Sequence, residues 1–181
     1  MAKCLLLIDL QNDYFEGGNN TLNKSLEAVY NARKLLDSFR KNNDHICHIR
    51  HLNLRPGSNY LLQNSIGSEI HEMVKPEADE LIITKFFPNS FHKTDLLTFL
   101  KTNTIDNLVI AGMMTHMCVD ATTRAAFDLG FKCTVIDDAC ATKDLEINGK
   151  RISSENVHNS FMAAFQGIYA DVFATDHYLD S

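Results

Sequence analysis

The sequence predicts an α/β chain: a three-layer α/β/α sandwich around a doubly wound, mainly parallel sheet of about six strands. Six short apolar runs, Cys4–Ile8, Ile46–Ile49, Leu81–Thr84, Leu108–Ala111, Cys133–Ile136 and Val172–Ala174, are nearly continuous in hydrophobicity instead of alternating. Strands covered on both faces read that way. Longer segments of helical spacing separate the runs, and parallel neighbours need such crossovers, which are right-handed by default. The chain has 181 residues, 45% hydrophobic and 22% charged, enough for one sizeable core. A single domain over residues 1–181 is the expectation.

The first run opens the chain in MAKCLLLIDLQNDYF and stops at Asp9. It is too short to span a bilayer and has no small-residue cleavage site. It therefore reads as a buried strand, with the cytoplasm as the expected compartment. Past the loop Glu16–Asn20, residues Leu26, Val29, Tyr30, Leu36 and Phe39 recur at helical spacing behind Asn23, a candidate N-cap. The second strand leads into the loop Arg55–Asn59. Further helices are expected from about Ser65 to Val74, Lys93 to Thr102, Thr115 to Leu129 and Ser153 to Gln166, while the polar run Thr142–Ser154 reads as loop. Neither an internal repeat nor a linker interrupts this order.

The net charge of −6 weighs against nucleic acid or an anionic membrane as the main partner. No GxGxxG or Walker sequence follows any apolar run, which disfavours dinucleotide and phosphate binding. Five cysteines, at 4, 47, 118, 133 and 140, form no CxxC pair, so neither a disulfide framework nor a zinc knuckle is suggested. Cys4, Cys47 and Cys133 lie inside apolar runs, where a free Cys acts as a small hydrophobe. Cys118 stands outside that pattern.

Ligands of doubly wound sheets bind at the carboxyl ends of the strands. The residues just past the runs are Asp9, Arg50, His51, Lys85, Gly112 to Cys118, Asp137, Asp138 and Thr175. With Thr115 as a helix cap, Cys118 takes the third helical position, where free backbone N–H groups and the helix dipole lower a thiol pKa. Those N–H groups also suit an oxyanion. The Asp9 carboxylate can take a proton from a thiol and return it to a leaving amine; Asp13 is a second carboxylate close by. The Lys85 ammonium favours the charged forms of both neighbours. Alone, each is an ordinary strand-end or helix-start residue. Together, an acid, a base and a thiol at three strand ends make a candidate active site.

The run VIAGMMTHMCVDATTRAAFDLGF (Val109 to Phe131), with MAKCLLLIDLQNDYF at the start and ITKFFPNSFHKTDL in the middle, resembles the isochorismatase-like cysteine hydrolases. That superfamily includes nicotinamidases, N-carbamoylsarcosine amidases, ureidoacrylate-type amidohydrolases and isochorismatases. The resemblance covers essentially the whole chain in order. It implies a hydrolase with the triad Asp9, Lys85 and Cys118. It also implies a non-proline cis peptide from Met113 to Met114, turning the Met114 N–H beside the Cys118 N–H as a two-donor oxyanion hole. The implied reaction cleaves a small amide, ureide or carbamoyl C–N bond through a Cys118 thioester, with Asp9 as acid and base and Lys85 as electrostatic partner. A homo-oligomer, dimer or larger, is implied too.

The sequence departs from the nicotinamidase metal site, an Asp-x-His pair followed by further histidines. In HIRHLNLRPGSNY, His51 is present, but Ile and Arg stand where the Asp is expected. Nor do His48, His51, His71 and His92 show a tight ligand spacing with a carboxylate, so no metal and no other cofactor is expected. Phe15, Phe86 and Phe91, together with Phe87, flank strand ends. With His116, two residues before Cys118, they are candidates to contact a small-molecule substrate; core packing is the ordinary role of such aromatics. Two rivals stay open: an enol-ether or ester hydrolase on the same site, and a non-catalytic reactive-thiol protein.

Overall fold

The computed structural model describes residues 2–180; Met1 and Ser181, the two ends of the expected domain, lie outside them. The strands run Ala2–Ile8 (β1), His45–His51 (β2), Leu81–Lys85 (β3), Ile105–Met113 (β4) and Lys132–Ala141 (β5), with Asp171–Phe173 (β8) last. They form one sheet in the order β3-β2-β1-β4-β5-β8, every pairing parallel. The chain winds outward from β1 to β3, returns to β4 beside β1, then winds the other way. The order thus reverses between β1 and β4, the switch point at whose carboxyl ends such sheets hold their ligands.

Among the described residues, five α-helices accompany the sheet: Ser25–Asn42 (α1), Leu96–Thr102 (α2), Asp120–Asp128 (α3), Ser154–Phe165 (α4) and Thr175–Leu179 (α5). Successive residues of β1 serve opposite faces, as the strand period of two requires. Leu5 and Leu7 join the core that α1 covers, with Val29, Leu36 and Phe39. Cys4, Leu6 and Ile8 join the core beneath α2, α3 and α4, with Leu100, Ala126 and Phe165. Burying each such large aliphatic side chain contributes roughly 1.5–3 kcal/mol. A strand that feeds two cores has no polar face, which is why its sequence shows no alternation.

Several local expectations are corrected. Residues Ser65 to Val74 form two single 3₁₀ turns, Ile66–Ser68 and Glu72–Val74, in place of a helix. Their backbone is engaged elsewhere, since Asn12 N–H donates to Glu69 O and His71 N–H to Leu10 O, and Ile66 is 78% exposed. Helix α1 starts after Lys24, not behind Asn23; Asn23 N–H bonds Thr142 O, and Leu26 and Tyr30 face solvent. Helix α2 begins only at Leu96, because Lys93 takes a left-handed φ of 56° and the Thr94 hydroxyl bonds Ser90 O. The polar run after β5 holds an antiparallel hairpin, Leu145–Ile147 (β6) with Lys150–Ile152 (β7), turning at Asn148-Gly149, both with positive φ. An Asn-Gly pair at a tight turn is a hairpin signal.

Gly112 marks where the sheet is tightest. It pairs with Ile8 across β1 and β4, has φ +139°, and a Cβ there would lie 2.0 Å from Ile8 O. Gly112→Ala adds backbone strain to a clash that side-chain motion cannot relieve. Urea unfolding of this variant is expected to show a loss of about 3 kcal/mol or more. Wild-type stability would contradict the packing at the switch point.

Candidate active site

Strand β1 ends in Ile8, and Asp9 turns off it with a left-handed φ of 53°, a conformation Asp tolerates better than most residues. The turn leaves Asp9 with no solvent exposure. Lys85, the last residue of β3, is also fully buried, and its Nζ lies 2.8 Å from Asp9 Oδ2. Strand β2 stands between these two strands, and its last residue, His51, pairs in register with Lys85. Lys85 Nζ and His51 Nδ1 are 3.0 Å apart. Since an ammonium only donates, Nδ1 is the acceptor.

Cys118 arrives from the other side of the switch point. Beyond β4 the Met113–Met114 peptide is cis, and Thr115–Val119 forms a π-helical turn before α3 begins at Asp120. Thr115 therefore does not cap an α-helix with Cys118 at its third position, as the sequence suggested; its hydroxyl pairs with His158 Nδ1 at 3.0 Å. The turn delivers Cys118 Sγ to 4.0 Å from His51 Nδ1, and a ligand atom each from Asp9, His51 and Cys118 lies within 4.8 Å of the others. Asp9 Oδ1 is buried with no hydrogen-bond partner among the described residues.

Electrostatics follows from that burial. Burial pushes the Cys118 thiol well above its ordinary value, the Asp9 carboxylate adds to this, and Lys85 opposes it. The thiolate expected from the helix dipole is therefore not the resting form; desolvation sets the direction. Burial pulls on the Lys85 ammonium, but Asp9 and Cys118 more than offset it, and its pKa stands above the lysine norm. His51 falls to about 4, chiefly by burial, with Lys85 and Arg55 acting the same way against Asp9. The site at neutral pH thus holds a neutral imidazole and a protonated thiol beside an ammonium.

Asp9, His51 and Cys118 have the donor types of a metal site. Lys85 nevertheless sets a positive charge within hydrogen-bonding distance of two of them, so a cation there meets repulsion. The other histidines lie apart: His48 pairs with Glu80 at 2.9 Å, His71 packs on Phe15 and His92 on Phe87.

Of the expected substrate contacts, Phe15 is buried in the core, Phe91 stacks on Phe131, and Phe86 is 44% exposed. His116 Nδ1 bonds the Thr142 hydroxyl at 2.5 Å. Asp13 is no rival to Asp9. Its carboxylate accepts from Leu61 N–H and from the Asn19 backbone and side chain, and Gly67 leaves it room. Asp138 accepts from the Thr175 N–H and hydroxyl, which removes both from the site.

Sequence reasoning weighed His51 only as a strand-end residue and metal ligand, and passed over Gln11. Gln11 accepts from His51 N–H and donates to His51 O and Ser68 O, fixing the end of β2. The signal available was position: strand-end residues on adjacent strands meet. Tyr14 and Tyr60 were also missed. Burial raises both hydroxyls, and each feels the charges of Cys118 and Asp9, so they stand near the site. Two surface clefts, of about 430 and 310 Å³, line β3 and the start of β2; Asp9, Lys85 and Cys118 line neither.

A family model described as the Isochorismatase domain matches residues 3–165. The chain belongs to the isochorismatase family. This isochorismatase-family chain is 44% identical over 179 residues to an uncharacterized isochorismatase family protein of Bacillus subtilis, YddQ, covering 99% of each. A solved structure of an isochorismatase-type hydrolase from Oleispira antarctica superposes with a TM-score of 0.96 at 42% identity, over 99% of this chain and 97% of that one. The nicotinamidase of Escherichia coli is 25% identical over 197 residues, covering 88% of this chain and 89% of its own. With such hydrolases in its family, the chain is a hydrolase. No helix among the described residues is long and apolar enough to cross a membrane.

The raised thiol is directly measurable. Thiolate absorbance of wild type minus Cys118→Ala is expected to stay flat from neutral pH to about 9, beyond the ordinary cysteine value. Replacing Lys85 by Met removes the one group that lowers the thiol and is expected to move its titration higher still. A thiolate appearing below the ordinary value would contradict the account.

Proposed function

We propose that this hydrolase cleaves a small amide, ureide or carbamoyl C–N bond with Cys118 as nucleophile. The observation that carries the reading is the buried meeting of Lys85, Asp9 and Cys118 from three strand ends. A protonated thiol is a poor nucleophile, so its proton must leave as it attacks. Asp9 Oδ1, with no other partner, is the acceptor for that proton. Sγ adds to the substrate carbonyl, and the C=O electron pair moves to oxygen. The Met114 and Cys118 N–H groups receive this oxyanion; donors fixed in advance stabilise it most in a dry site. The C–N bond then breaks, Asp9 returns its proton to the leaving nitrogen, and an acyl thioester remains on Cys118.

Water completes the cycle. Asp9 takes a proton from it, hydroxide adds to the thioester carbonyl, the C–S bond breaks, and the sulfur recovers the proton. The products are a carboxylic acid and ammonia or an amine. Lys85 holds the Asp9 carboxylate in place and offsets negative charge as it develops on sulfur. The reading requires no cofactor. It takes a small molecule as partner, with a homo-oligomer in the cytoplasm as the working form, and amide chemistry is supported by the nicotinamidase relative.

Ammonia release from a panel of small amides, ureides and carbamoyl compounds, with EDTA present, tests this. Wild type is expected to release ammonia unaffected by EDTA. Cys118→Ala is expected to lose on the order of 10³-fold or more in kcat. Release from esters and vinyl ethers but from no C–N compound would overturn the amide reading, and release by Cys118→Ala would overturn the nucleophile.

A further inference from the structure

His51 touches every part of the site yet has no step in the proposed reaction. Its Nδ1 lone pair is occupied by Lys85 at 3.0 Å, and burial with two neighbouring cations holds its pKa near 4. It is therefore a poor base for the thiol 4.0 Å away. A neutral imidazole carries one proton, and with Nδ1 accepting, that proton is on Nε2. Nε2 has no hydrogen-bond partner among the described residues, while the side chain is 13% exposed. Gln11 grips the His51 backbone from both sides. The result is a rigid donor with one edge on the triad and a free N–H on the other.

The segment after His51 closes back over the same place. Leu52 N–H donates to Lys85 O, Asn53 N–H to Leu61 O, and Leu61 N–H to the Asp13 carboxylate. Arg55 lies on this pinned loop, exposed, its backbone N–H donating to Asn53 Oδ1 and its carbonyl accepting from Ser58 N–H. Its charge reaches both His51 and Tyr60. A fixed imidazole N–H and a guanidinium whose charge acts on it then stand near each other beside the triad. Both donate, and one is positively charged.

We propose that His51 reads the substrate: its Nε2–H, set by Lys85, donates to a carboxylate carried on the acyl part of the substrate, and Arg55 supplies the opposing charge. This rests on the hydrolase reading above and adds its substrate class, short amides of dicarboxylic acids. Binding such an acceptor uses interactions remote from the reacting carbonyl, which orient it for attack.

Two measurements test the proposal separately from the chemistry. In histidine-labelled protein, ¹⁵N NMR is expected to show His51 with Nδ1 bare and Nε2 protonated at neutral pH; the His51→Gln spectrum assigns the signals. A proton on Nδ1, or an imidazolium, overturns it. Malonamate, succinamate and glutaramate are then compared with their methyl esters for ammonia release. Wild type is expected to favour at least one acid by about tenfold or more in kcat/KM. His51→Leu and Arg55→Met are expected to lose that preference mainly through KM, and His51→Gln, which keeps an N–H donor, to retain part of it. Equal use of acid and ester by wild type, or a preference surviving both variants, overturns it.

If no amide is cleaved, the amidase reading fails and recognition is read by calorimetry with malonate, succinate and glutarate. Binding by wild type that weakens about tenfold in folded His51→Leu and Arg55→Met supports the assignment. No binding by wild type, or binding unchanged in both variants, overturns it.

Discussion

The pairing of Lys85 with Asp9 is the constraint from which the rest of the site follows. Both side chains are fully buried, 2.8 Å apart. Removing two charges from water carries a desolvation cost that mutual attraction only partly offsets, so such a pair is weak evidence for stability. Its place at the end of the sheet explains it better. Lys85 satisfies one Asp9 oxygen and leaves the other free, and it fixes the His51 ring by occupying Nδ1. One ammonium thereby positions a carboxylate, fixes the tautomer of an imidazole and opposes the burial that raises a thiol.

Topology makes the meeting possible. Asp9 and Cys118 follow the two strands between which the winding reverses, and Lys85 ends a strand two places from β1, with His51 at the end of the strand between. The strands need different lengths of following chain to converge. Asp9 turns at once in a left-handed conformation, whereas Cys118 is carried inward by five more residues after Met113. Gly112 lets β4 approach β1 closely enough for the ends of both to meet at one site.

Much of this was legible in the residues. Strands that feed two cores leave unbroken apolar runs, and their ends name the site candidates without any geometry, so Asp9, Lys85 and Cys118 could be found from strand ends alone. What stayed hidden depends on long-range contacts. The segment Ser65 to Val74 has helical spacing, but its backbone is committed to Leu10 and Asn12. Thr115 reads as a cap that would put Cys118 where a helix dipole makes a thiolate, yet the turn is π-helical and burial raises the thiol. His51 looked like a failed metal ligand because its partner, a lysine 34 residues on, appears only once β2 and β3 are set side by side.

A double-mutant cycle on the central pair tests the account most directly. Asp9→Asn, Lys85→Met and the double variant are compared in urea stability and in ammonia release. Removing one partner strands a buried charge, and each single variant is expected to lose about 3–5 kcal/mol. The double variant is expected to recover part of that stability while remaining as inactive as either single one, since both residues serve one unit. Single-variant losses that simply add, in stability and in rate, would show two independent residues and contradict the account.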